Sequence, residues 1–66
     1  MIFSNKVKVG DKVHYYANRI TVNGIIKEVV DRACVRVVFN CDQNWTRFQD
    51  YTSDLTSTKS LYYDWK

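Results

Sequence analysis

Apolar and polar residues alternate in short runs along this chain. No window shows sustained apolar spacing of three and four, and β-branched and ring side chains dominate the apolar positions. That is the pattern of half-buried strands rather than of helices. Val9-Gly10-Asp11 reads as a turn launching a first strand, Lys12 to Ala17, with Val13 and Tyr15 on one face and Lys12, His14 and Tyr16 on the other. Asn18-Arg19 lies in a loop. A second extended stretch runs from Ile20 to Val30, interrupted by Asn23-Gly24. That pair suits either a tight hairpin turn or a bend or bulge in one long strand. The bend is preferred, because Ile20 to Val22 is short for a strand of its own.

Asp31-Arg32-Ala33 supplies the next turn, and Cys34 to Phe39 is the clearest strand, with Val35, Val37 and Phe39 on one face. Asn40-Cys41-Asp42-Gln43-Asn44 is a polar loop of hairpin length. Trp45 to Gln49 is expected as a strand. Tyr51 to Leu55 is expected as a turn or single 3₁₀ turn plugged by Leu55, and Ser60 to Trp65 as a closing strand. Five short strands in 66 residues are too few for a normal two-sheet sandwich. A strongly bent sheet closing on itself hides its edges and wraps one small core. The expectation is therefore an all-β single domain over residues 1–66, a small five-stranded barrel with residues 1–7 as a lead-in. Its expected core is Val13, Tyr15, Ile26, Val35, Val37, Phe39, Phe48, Leu55 and Leu61.

Composition narrows the function classes. Hydrophobic residues make up 45% of the chain and charged residues 26%, which suits a globular protein rather than a disordered one. Rings make up 15%, and most are expected to fill the core, since each buries a large area. No run approaches the roughly 20 apolar residues of a membrane span, and no signal peptide is recognisable, so a cytoplasmic protein without membrane contact is expected. Cys34 and Cys41 lie seven positions apart with one His in the chain. That is short of the ligand set of a zinc site, so free thiols and no metal or cofactor are expected. His14 has no evident nucleophile beside it, the aspartates sit in turns, and two glycines cannot build a phosphate-cradling loop. No catalytic residue is assigned and an enzyme is not expected.

Lys8-Val9-Gly10-Asp11-Lys12-Val13, then Gly24-Ile25-Ile26, then Val35-Arg36-Val37-Val38-Phe39 resembles the opening of SH3-like barrels of the KOW and Tudor type. Trp45 to Leu55 and Leu61-Tyr62-Tyr63 resemble the closing part of small phage and prophage proteins built on that barrel. The resemblance covers roughly residues 6 to 63 and implies an SH3-like barrel. The type II dihydrofolate reductases share that barrel and a similar Gly-Asp-x-Val start. The stretch comparable to their pore strand reads Arg47-Phe48-Gln49-Asp50-Tyr51, and Asp50 would set a negative charge where an anionic substrate binds, which speaks against that activity.

Charge points to a binding surface. The net charge is +3, split as +4 over residues 1–40 and −1 over residues 41–66. Cations interleaved with rings suit phosphates and unpaired bases, and Lys12, Tyr16, Arg36, Trp45 and Arg47 are the expected contact residues. A nucleic acid is the first expected partner. The alternative is a protein partner or a second copy of the chain docking on rings that a small barrel cannot enclose, as in an adaptor of a phage or mobile element.

Overall fold

The computed structural model describes residues 1–41 and 43–66; Asp42, expected in the polar loop, lies outside the described residues. Five strands form one antiparallel sheet: β1 (Lys12–Ala17), β2 (Ile20–Val29), β3 (Cys34–Val38), β4 (Asp54–Ser57) and β5 (Leu61–Tyr63), in the order β4-β3-β2-β1-β5. β1 and β3 fall where their alternation predicts them. Asn18 and Arg19 join β1 to β2 as a two-residue turn with φ of 51° and 65°, the positive-φ pair whose twist matches that of the flanking strands. Asp31 holds the next turn, its Oδ1 accepting from the backbone N–H groups of Ala33 and Cys34 at 2.8 and 2.9 Å.

β2 runs through Asn23-Gly24 unbroken, as the bend reading requires. Its register shift lies between Ile26 and Glu28, not at Gly24. Ile20 to Ile25 pair with β1, whereas Ile25 to Val29 pair with β3. The long strand thus belongs to two half-sheets, and the extra residue at Lys27 bends it between them. The core shows that these halves fold face to face. Val13 and Leu61 from the β1–β5 half meet Ile26, Val35 and Val37 from the other half, and all are fully buried.

At Gly24 the backbone of β2 lies tight against β3 and Phe39. A Cβ there would lie 2.6 Å from a Val37 methyl, 2.9 Å from a Phe39 ring carbon and 2.9 Å from the Val38 carbonyl oxygen. Because one obstacle is backbone, relaxing a side chain cannot relieve it. Gly24→Ala is expected to destabilise the fold by about 1–3 kcal/mol, read as a lowered urea midpoint at unchanged slope. A midpoint equal to that of the parent would show that the halves have room to spare.

The two edges of the sheet are linked by only three residues, the 3₁₀ turn Thr58–Ser60. In a flat sheet four inter-strand spacings would separate β4 from β5 by about 19 Å. The link from Ser57 to Leu61 reaches at most about 14 Å, so the sheet must curl. Among the described residues β4 and β5 do not pair with each other, and the sheet stays open between them.

Other expectations change. Ile2, in the expected lead-in, is a fully buried member of the core, and Ser4–Lys6 forms a 3₁₀ turn. Trp45 to Gln49 is not a strand: Trp45–Asp50 is 3₁₀ helix, kinked at Arg47. Its bonds are local, from Arg47 N–H to the Asn44 carbonyl and from Tyr51 N–H to the Phe48 carbonyl. Trp45 and Phe48, on either side of the kink, are both half-buried. Phe48 therefore lies outside the core.

Leu55 is 56% exposed instead of plugging a turn. Residues 54 to 57 are a strand, and its register with Val35 and Arg36 turns Thr56 inward and Leu55 outward. Tyr15 and Phe39, expected as core, pack at its margin. None of the ten rings is fully buried. The core is aliphatic, and the aromatic excess serves other surfaces.

Candidate functional site

Pairing partners in an antiparallel sheet point to the same side. The outward row of β1, Lys12, His14 and Tyr16, therefore shares its face with Asn23 of β2 and Tyr62 of β5. Alternation sets Lys12 and Tyr16 about 14 Å apart along the strand. The C-terminal turn completes this face. Asp64 adopts φ of 66°, swinging the chain off β5 and across β1 toward β2. Its N–H donates to the Lys12 carbonyl at 2.9 Å, and its own carbonyl accepts from His14 Nδ1 at 2.7 Å. Since a carbonyl can only accept, His14 carries a proton on Nδ1. Further on, Lys66 N–H donates to Asn23 Oδ1, and Asn23 Nδ2 donates to the Lys66 carbonyl. Asn23, the residue that made a hairpin turn conceivable, instead ties down the C-terminus.

That path delivers Trp65 to the sheet, where its Nε1 donates to the Gly24 carbonyl at 2.8 Å. Trp45 packs on it with ring centroids 4.9 Å apart and planes tilted by 52°. The Lys12 ammonium lies 4.7 Å from the Trp65 ring centroid, a cation–π contact. Beside this group His14 and Tyr62 stack at 5.4 Å with planes 22° apart. Half-exposed Tyr16 follows, and a shallow groove of about 240 Å³ opens among His14, Tyr16, Tyr62 and Lys66. On the same side of the sheet, Ile25, the register partner of Lys12, pairs with Val38, and both are buried. The helix of residues 45–50 packs against β2.

Of the expected contact residues, Lys12, Tyr16 and Trp45 come together here. Arg36 does not. It points outward from β3 between Glu28 and Leu55, with β2 between it and the row. Arg47 lies in the 3₁₀ helix and donates through Nε to Asp50 at 3.0 Å, the one ion pair among the described residues. The stretch 47–51 compared with a reductase pore strand is thus helix and its exit, and Asp50 is engaged by its own neighbour.

Sequence reasoning set His14 on this face but assigned it no role, it expected Tyr62 and Trp65 only among the outer rings open to a protein partner, and it did not single out Asn23 or Lys66. The expected closing strand ran from Ser60 to Trp65, but β5 spans only Leu61–Tyr63, and its early end at the Asp64 turn is what brings Trp65 and Lys66 to this face. Cys34 and Cys41 are free, half-buried and buried. Among the described residues no three His, Cys, Asp or Glu side chains gather as metal ligands, and no helix is long and apolar enough to cross a membrane.

No protein-family model, no curated protein and no solved structure matches this chain.

Proposed function

We propose that this chain is a small non-enzymatic binding module that takes up single-stranded nucleic acid on the outer face of β1, β5 and the C-terminal turn. One observation carries the reading: the Trp45–Trp65 pair with Lys12 over Trp65, continued by His14–Tyr62 and Tyr16. Partly exposed rings give bases a surface to stack on, worth about 1–3 kcal/mol per base. Lys12 and Lys66 on the face, and Arg19 in the turn beyond Tyr16, supply charge for the backbone. Only part of the Lys12 ammonium faces the ring, leaving donors for a phosphate oxygen. Duplex binds less well on this reading, because its bases are already stacked.

The fold reading proposed with it is a small SH3-like barrel closed by packing between its half-sheets. The return of β5 to β1, the bent β2 and the three-residue link between the edges support it.

Three neutralised phosphates give a log–log salt slope of about −2 for a single strand. Titrating a single-stranded oligonucleotide against tryptophan fluorescence is expected to quench it, with that slope and with weaker binding of the matching duplex. Fluorescence that does not respond to any single strand at low salt overturns the reading.

A further inference from the structure

The opposite side of the molecule carries a second surface. Where the sheet stays open, a groove of about 520 Å³ lies against β4, with Tyr15, Val22, Phe39 and Leu55 as its apolar wall and Asp54 and Ser60 among its polar groups. Tyr15 and Phe39 meet edge to face at 6.0 Å, which fixes the floor. β4 is an edge strand, paired only with β3. Alternate backbone N–H and C=O groups on its free side have no strand partner. It carries neither Lys nor Pro nor a bulge, and the one charge on this four-residue edge is Asp54. Asp54 pairs in register with Val37 and so points to the groove side. No cation among the described residues pairs with its carboxylate, although the chain has ten Lys and Arg.

We propose that this groove docks an extended peptide that adds to the free edge of β4, with an apolar side chain on Tyr15 and Phe39 and a Lys or Arg two positions along facing Asp54. Strand addition takes its affinity from backbone bonds and its selectivity from pockets that read alternate side chains. Here an unpaired edge, an apolar pocket and an unpaired carboxylate line one groove. An anionic strand such as nucleic acid is disfavoured by the same carboxylate, so the groove and the ring face are separate sites.

The test uses the full chain and the acetylated, amidated peptide Thr-Val-Thr-Lys-Thr-Val, followed by two-dimensional NMR. Expected are shifts at Val22, Leu55 and Thr56, with slowed hydrogen exchange at β4 amides. Asp54→Asn is expected to weaken binding about two- to fivefold, the range of an exposed ion pair, at an unchanged thermal midpoint. Exchanging the peptide's lysine for glutamate is expected to weaken it at least as much, and N-methylating alternate peptide amides to abolish it. The proposal is overturned by absence of binding at millimolar peptide. It is equally overturned if N-methylation has no effect, if Asp54→Asn and the glutamate peptide bind as the parents do, or if sedimentation finds the β4 edge already taken by a second copy of the chain.

Discussion

Val37→Asp is expected to unfold the chain. Val37 is fully buried in the aliphatic cluster, pairs with Ile26, and presents the methyl that comes closest to Gly24. A carboxylate there would lose its water without gaining a cation, and would share a sheet face with Asp54, its register partner on β4. Burying such a charge unpaired costs several kcal/mol even after the group protonates. A 66-residue domain holds roughly 3–10 kcal/mol in total. The expected observation is collapse of amide dispersion in the NMR spectrum at 25 °C and loss of a cooperative urea transition. A dispersed spectrum would mean that β3 turns its other face to the core.

Trp65→Ala is expected to damage stability and binding together. The indole is a hydrogen-bond donor to the Gly24 carbonyl, the partner of Trp45 and the surface under the Lys12 ammonium. Removing a fully buried Trp costs about 3–5 kcal/mol; this one is half-buried, and about 2–3 kcal/mol is expected. Affinity for a single-stranded oligonucleotide should fall at least tenfold, the effect of one lost stacking partner. Trp65→Phe separates the two effects. It keeps a ring and gives up the hydrogen bond, so stability falls by only about 1 kcal/mol while most of the affinity returns. Equal affinities for the alanine variant and the parent would remove Trp65 from the interface.

The parts of the fold that were legible in the sequence are those set by neighbours in the chain. β1 and β3 show alternation, Gly10 marks a turn through its φ of 97° and Asp31 one through its side-chain acceptor, and a continuous β2 followed from the shortness of Ile20 to Val22. What was not legible depends on distant partners. Trp45 to Gln49 sets its two rings three positions apart, which does not fit the alternation of a strand, but five residues are too few for that spacing to decide. Leu55 was misjudged because a strand shifts parity by one residue from a turn, and its register with β3 decides which side is inward. Ile2 lies between Met1 and Phe3, nothing local marks it as the one of the three to be buried, and its N–H bonds to the distant Thr58 carbonyl.

The site was half legible for the same reason. The row Lys12, His14, Tyr16 follows from alternation on one strand, and Tyr16 and Lys12 were assigned from it. The Trp45–Trp65 pair follows from the left-handed backbone at Asp64, which no short-range pattern announces. Arg36 and Arg47 carry the right charge but sit beside Glu28 and Asp50. The rings, expected chiefly as filler, were displaced from the core by aliphatic residues. Gly24 brings the half-sheets so close that a Cβ there would already collide with Val37 and Phe39.

The most direct test of the ring face is an amide-resolved NMR titration of the full chain with a single-stranded oligothymidylate of roughly eight nucleotides, within the usual range of such sites. Signals of Lys12, His14, Tyr16 and Tyr62 and the indole N–H of Trp65 are predicted to move together and saturate, leaving the Arg36 and β4 amides in place. If those signals stay fixed at low salt, or if the shifts gather at Arg36 and Arg47 instead, the stacking surface has been assigned to the wrong part of the outer face.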